Sequence, residues 1–172
     1  MSLAYLFYVL GGESIQRECF DYIRNNGKLM EGQVFTSSAG TLKCKKIIHA
    51  VGPVWRGGNN REEQTLYACI DNCFDEAQNH RLKSIAIPPI STGIFGYPLE
   101  QAIRTVVEAL YDREKGSDPL PAKVIFVDNK QNSLRMFRDE LNGKFRKVQQ
   151  KAAPPTRPRI KPPNTPGKCC TV

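Results

Sequence analysis

Histidine is scarce in this chain and metal-ligand spacing is missing. Only His49 and His80 occur in 172 residues, and none of the six cysteines (Cys19, Cys44, Cys69, Cys73, Cys169, Cys170) forms a CxxC pair. The usual zinc arrangements are thereby excluded, so no metal is expected. Cys69 and Cys73, four residues apart, read as core positions of a helix. No apolar run is long enough to span a bilayer as a helix. Met1 to Leu10, MSLAYLFYVL, has neither a basic start nor a small-residue cleavage pattern. A secretion signal is therefore not expected, and free thiols in a reducing, cytoplasmic or nuclear setting are. Acidic residues are absent after Arg146, where Lys147, Lys151, Arg157, Arg159, Lys161 and Lys168 carry +6 of the formal net charge of +8. Met1 to Arg146 is left nearly balanced. A basic tail suits an acidic surface, nucleic acid or anionic lipid, and equally suits a solvated linker.

The length fits one domain with a modest appendage. Its most informative stretch is Ser84 to Glu100, SIAIPPISTGIFGYPLE, which reads as a strand, a glycine-punctuated loop and a helix start. Ser84 to Ile87 extends into Ile90 as an apolar run, and Pro88 and Pro89 stop a regular ladder by removing donors. Pro98 suits a first helical position, with a helix from about Leu99. Between strand and helix, exposed N–H groups with the hydroxyls of Ser91 and Thr92 would cradle an anion such as a pyrophosphate. The alternative is an ordinary connecting loop. No Lys-Ser or Lys-Thr follows the glycines, so nucleoside triphosphate hydrolysis is unsupported.

In chain order, Leu3 to Leu10 reads as a buried strand or as a helix segment packed on the core. Ile15, Cys19, Phe20 and Ile23 recur at helical spacing, with Arg17, Glu18, Asp21 and Arg24 outward. Gly32 to Ser37 and Cys44 to Val51 read as strands. A helix from Arg61 to Asn79 carries the apolar stripe Leu66, Cys69, Ile70, Cys73, Phe74 and Ala77. The helix after the central loop turns Ala102, Ile103, Val106, Val107 and Leu110 inward. Lys123 to Val127 is a buried-type strand, and Leu134, Phe137, Leu141 and Phe145 mark a last helix. Alternating strands and helices indicate an α/β layer fold, with ligands beyond the carboxyl ends of the strands. From Gln149 on, six prolines argue for an unfolded tail. It ends Cys169-Cys170-Thr171-Val172, which fits a C-a-a-X prenylation signal in the position of Cys169 but imperfectly in its other residues; the alternative is a chance cysteine pair.

The string Pro88-Pro89-Ile90-Ser91-Thr92-Gly93-Ile94-Phe95-Gly96-Tyr97-Pro98 closely resembles the second ligand-binding loop of macrodomains, the ADP-ribose-binding modules. Gly11-Gly12-Glu13, Ile15-Gln16, Gly27-Lys28, Gly32, Ala39-Gly40, Leu42, Cys44, Ile47 to Pro53 and Trp55 are similar in the same order, most of all to the macrodomains of multi-macrodomain poly-ADP-ribose polymerases. The resemblance covers about Gly11 to Phe145. It implies a three-layer α/β/α fold around a mixed sheet, with ADP-ribose or ADP-ribosylated protein as partner and no cofactor. Ser91, Thr92, Gly93, Ile94, Phe95 and Gly96 would take the diphosphate and distal-ribose role, the amides of Thr92 to Gly96 meeting phosphate charge and the Phe95 ring shielding the distal ribose. Val51, Gly52 and Pro53 would form part of the wall, or simply end a strand. Asp128 and Asn129 would border the adenine or its ribose, or serve as turn residues.

By the same resemblance, the two opening strands, an Asp-Ile pair and an Asn-Ala-Asn segment with a first glycine-rich loop are not found before Gly11. Residues 1–10 are then an atypical apolar segment in the register of the family's first helix, 11–146 an N-terminally truncated macrodomain, and 147–172 a basic proline-rich tail. The hydrolytic members use the missing asparagine and first loop, no general-base and nucleophile pair replaces them, and His49 reads as a core or wall histidine. The expectation is a non-catalytic ADP-ribose reader. Each lost charged hydrogen bond would weaken it by on the order of 1.5 to 3 kcal/mol. Two alternatives stand beside it. One is a mono-ADP-ribosyl-protein hydrolase; the other is a vestigial domain acting through its basic, Cys169-lipidated tail at a membrane or on nucleic acid.

Overall fold

A computed structural model describes residues 3–117 and 119–152. The elements run α1 (Leu3–Gly11), α2 (Glu13–Asn26), β1 (Val34–Ser38), β2 (Lys46–Ala50), α3 (Glu62–Asn79), β3 (Ser84–Ile87), α4 (Leu99–Lys115), β4 (Lys123–Phe126) and α5 (Gln131–Ala152). Cys169 and the rest of the proposed prenylation signal lie outside the described residues, as does the tail from residue 153. Helix α5 extends to Ala152, so Gln149 to Ala152, read from sequence as the start of an unfolded tail, are helical.

The apolar run at the start is a helix, not a strand. Its last carbonyls are satisfied from the β1–β2 turn: the Thr41 N–H donates to the Gly11 carbonyl at 3.0 Å and the Thr41 hydroxyl to the Leu10 carbonyl at 2.9 Å. Those groups would otherwise be left open at a helix C-terminus. Gly12, at φ 85°, lets the chain turn directly into α2.

Helix α2 is rotated from its sequence reading. Ile15 is buried, while Phe20 and Ile23 are exposed. The inward face is instead Ile15, Glu18, Cys19 and Tyr22, at the three- and four-residue steps of one helix face. Glu18 accepts the Ser38 backbone N–H at 2.8 Å and the Ser38 hydroxyl, and the Tyr22 ring lies 4.2 Å from that of Phe35. A carboxylate is tolerated there because its lone pairs are used.

The strands form two separate pairs: β1 with β2, antiparallel from Val34↔Ala50 to Ser38↔Lys46, and β3 with β4, parallel from Ser84↔Lys123 to Ile87↔Phe126. Helix α3 supports both pairs. Its buried stripe is the expected one, Leu66, Cys69, Ile70, Cys73, Phe74 and Ala77, and it meets Ala102, Ile103, Val106, Val107 and Leu110 of α4 with Ile85 and Ile87 of β3. Arg113, 6% exposed, joins α3 to α4 by donating to the carboxylates of Asp71 and Asp75 and to the Asp71 carbonyl. Its guanidinium sits over the Phe74 ring, 5.5 Å from the centroid. On α5, Phe137 is buried and stacks on Phe126 at 3.6 Å, but Leu134 is exposed rather than inward.

Candidate functional site

The carboxyl ends of β2 and β3 converge. Gly52 packs so closely against the loop after β3 that a Cβ on it would lie 2.1 Å from Ser91 Oγ and 2.6 Å from Ile90 Cγ2. The Trp55 N–H donates to the Phe95 carbonyl at 2.9 Å, and the Trp55 ring meets the edge of Tyr97 at 4.8 Å. Val51, Gly52 and Pro53 therefore back the loop as well as ending their strand. Val51 is itself held by the residues just before β1, donating its N–H to the Gln33 carbonyl and accepting the Gly32 N–H.

Within the loop, turn bonds consume some of the groups that the sequence offered to an anion. The Thr92 N–H donates to Pro89 at 3.4 Å and the Gly96 N–H to Gly93 at 3.0 Å. The Thr92 hydroxyl also goes to Pro89, at 2.8 Å, and Ser91 Oγ is buried against Gly52 without a partner among the described residues. The expected cradle of five amides and two hydroxyls thus reduces to the amides of Gly93, Ile94 and Phe95, which bond to nothing else among the described residues. Gly93 and Ile94 are exposed, Ile94 to 98%, and Phe95 is half-buried. Three adjacent uncommitted amides therefore stand in the strand-to-helix loop. Pro98, expected as the first helical residue, is the extended residue before it, at ψ 126°.

Asp128 and Asn129 lie at the end of β4. The Asp128 carboxylate accepts the Ser133 hydroxyl and, at 3.3 Å, the Lys130 N–H, so it orders the entry into α5. Asn129 is exposed. The apolar recess that Asp128 shares with Pro89 has a volume of about 10 Å³, room for a single water.

One feature escaped the sequence reading. Glu62, 1% exposed, takes the N–H groups of Arg56 at 3.0 Å, Gly58 at 3.1 Å and Asn60 at 2.6 Å, and so folds the loop that carries Trp55 to the site. A glutamate at a helix start is a weak signal, because it reads first as a dipole partner. His49 stands on β2 in a cluster with Ser37 Oγ at 2.8 Å and Cys19 Sγ at 3.7 Å, facing α2. Burial lowers its pKa, and burial raises that of Cys19, so the pair does not resemble an activated thiolate.

These groups set an acid limb of stability. Burial would push the Glu62 carboxyl up, but the N–H groups of Glu62, Asn60, Arg56 and Gly58 outweigh it and bring the pKa down to about 2. Hydrogen bonds from Ser38 lower that of Glu18. All three groups, His49 included, hold protons less tightly folded than unfolded, so stability falls as pH falls. The loss is expected to begin below about 6.5, the ordinary histidine value, and to steepen below about 4.3, that of a glutamate. Urea midpoints between pH 7 and 3 measure it. Glu62→Gln should lower the midpoint at pH 7 and flatten the carboxylate part of the curve; a midpoint that rises on acidification contradicts the assignment.

The family model of the Macro domain matches residues 2–106. An O-acetyl-ADP-ribose deacetylase of Enterobacter cloacae is 34% identical over 127 residues, covering 74% of this chain and 70% of that protein. An uncharacterized protein of Thermotoga maritima is 44% identical over 102 residues, 59% of this chain, and the chain spans only 17% of that protein's length. The solved macrodomain of Oceanobacillus iheyensis with ADP shares the fold, with a TM-score of 0.79 at 23% identity over 86% of this chain and 78% of that one; a mutant of it was solved with ADPR. The expectation of a non-catalytic module is corrected here. Several relatives 34 to 36% identical to this chain are named O-acetyl-ADP-ribose deacetylase, which points to an enzyme. Matched over more than half its length by the family model, and sharing the fold of solved macrodomains, the chain belongs to the Macro domain family.

Proposed function

We propose that this chain binds ADP-ribose through the loop after β3 and hydrolyses an ester of its distal ribose, with O-acetyl-ADP-ribose as the first substrate to try. The observation that carries the binding half is the row of uncommitted amides from Gly93 to Phe95, backed by Gly52. A diphosphate is the anion such a row fits, since fixed N–H dipoles hold negative charge without desolvating a cation. The relatives named as deacetylases support the hydrolytic half. In that reaction water adds across the ester, the acyl carbon–oxygen bond breaks, and acetate and ADP-ribose leave. An ester joining ADP-ribose to a protein carboxylate presents the same bond, so a mono-ADP-ribosylated protein is the second substrate to try. The ordered series from Gly11 to Trp55 supports kinship with the macrodomains of poly-ADP-ribose polymerases, and the free thiols of Cys19, Cys44, Cys69 and Cys73 support a reducing, cytoplasmic or nuclear location.

Calorimetry with ADP-ribose and chromatography of O-acetyl-ADP-ribose turnover test the two halves. Gly93→Val is the discriminating variant, because a Cβ at Gly93 meets nothing within 4 Å and the fold should not notice it. It should block the approach of phosphate to the amides. Loss of one charge-assisted hydrogen bond, about 1.5 to 3 kcal/mol, corresponds to roughly a 10- to 100-fold weaker Kd. A folded sample that gives no heat at millimolar ADP-ribose rules the binding reading out, and binding without turnover of either ester rules out the hydrolytic one.

A further inference from the structure

Two segments meet at the site: Val51 to Arg61, which leaves the end of β2, and the ligand loop from Pro88 to Pro98. They touch where Gly52 packs on Ser91 and where the Trp55 N–H donates to the Phe95 carbonyl. Their only charged side chains are Arg56 and Arg61, both positive. Both residues are exposed. Arg61 makes no side-chain bond among the described residues. Arg56 reaches the Glu31 carboxylate at 3.2 Å, in a pair open enough to solvent for a competing anion to displace it.

The loop that presents these arginines is fixed from below. The buried Glu62 carboxylate takes the N–H groups of Arg56, Gly58 and Asn60, and the backbone turns at Gly57, φ 104°, Gly58, φ 85°, and Arg61, φ 61°. Charges on a pre-ordered backbone lose less entropy on binding than charges on a free loop. Their position also matters. Gly52 meets the ligand loop on one side of β2, while Val51 is held on the other side by Gly32, the residue after Glu31. The Arg56 guanidinium, bonded to Glu31, therefore stands across the end of β2 from the ligand loop, at roughly 10 Å, two strand spacings. It lies past the open amides of Gly93 to Phe95, not among them.

We propose that Arg56 and Arg61 read the acceptor: they bind carboxylates of the polypeptide that carries ADP-ribose, so this site prefers a protein modified within an acidic segment. This rests on the function proposed above, with the ester of the distal ribose at the Phe95 end of the open amides. An acetyl ester is too short to reach Arg56 and brings it no charge. An extended peptide advances about 3.3 Å per residue, so a side chain two or three positions from the modified one spans the gap. Aspartate and glutamate suit it, because a guanidinium takes a carboxylate through two parallel hydrogen bonds. ADP-ribose units are joined to one another by glycosidic bonds, whereas the ester to be cut joins ADP-ribose to a protein carboxylate. What lies beyond that ester is polypeptide.

The test uses the full chain and three probes: ADP-ribose, and two peptides that carry it on a central residue through an amide in place of the ester. One peptide is flanked by aspartates and the other by serines. Calorimetry is expected to show the aspartate peptide binding about 3- to 10-fold tighter at ~0.05 M salt, a gain lost at ~0.5 M. Arg56→Gln combined with Arg61→Asn should abolish the preference and leave the Kd of ADP-ribose within about twofold, asparagine being tolerant of the left-handed backbone of Arg61. If that chain does not fold, Arg56→Gln alone carries the comparison. Equal affinity for the two peptides overturns the proposal. So does a variant that weakens ADP-ribose as much as the aspartate peptide, which would put the arginines on the diphosphate. A dimer of ADP-ribose that outbinds the aspartate peptide through the same arginines overturns it too. No heat with any probe overturns the reading of the ligand loop, and this inference with it.

Discussion

Gly52→Ala is expected to cost the proposed ADP-ribose site more than 100-fold in affinity while leaving the fold in place. The new methyl would stand 2.1 Å from Ser91 Oγ and 2.6 Å from Ile90 Cγ2, so one of the two chains must retreat. The loop has little room to do so gradually. Ser91 already sits at φ 65°, a left-handed conformation that costs a non-glycine residue about 1 to 2 kcal/mol, and Tyr97 is anchored to its carbonyl at 3.0 Å. Overpacking of this kind typically costs about 1 to 3 kcal/mol, well within the stability of an ordinary domain. Displacement is therefore expected to fall on the amides of Gly93 to Phe95, and calorimetry would read it as lost affinity with unchanged circular dichroism. Ser91→Gly in the same chain removes both the obstructing hydroxyl and the φ penalty, so the double variant should recover part of the loss. Two contacting positions are expected to be non-additive in this way. Wild-type affinity in Gly52→Ala would show that the close approach does not shape the ligand loop.

Phe74→Ala is expected to give the largest loss of stability, about 3 to 5 kcal/mol. The ring is fully buried at the centre of the stripe that α3 presents to α4 and β3. Because α3 underlies both strand pairs, which share no ladder, the cavity weakens the main connection between the two halves. The ring is also the platform under the Arg113 guanidinium, whose ion pairs with Asp71 and Asp75 depend on being held in place. Urea unfolding followed by circular dichroism checks the magnitude, and Phe74→Leu should lose much less. A loss below 1 kcal/mol would mean that the core collapses around the site.

Legibility followed burial. Helices α3 and α4 were readable because their inward faces are mostly apolar and repeat at helical spacing, with Glu62, Thr105 and Arg113 the buried polar exceptions. Helix α2 was not, because the residue that completes its inward face is Glu18, whose charge is satisfied only by Ser38 on a strand far along the chain. Phe20 and Ile23, which look like core residues, are exposed. The site shows the same division. The loop from Pro88 to Pro98 announced itself by its string of residues, but which of its amides stay open depends on turn bonds to Pro89 and Gly93.

The sequence by itself determined that this is an α/β chain with a loop resembling the second ligand-binding loop of macrodomains, because apolar periodicity and that loop are local properties. Tertiary structure alone decided that the ambiguous apolar run at the start is a helix, its last carbonyls being taken by Thr41. It alone brought Gly52 against Ser91 and kept β2 and β3 in separate strand pairs. Those outcomes depend on which backbone groups find partners across the fold, and pairing at a distance leaves no mark on the residues themselves.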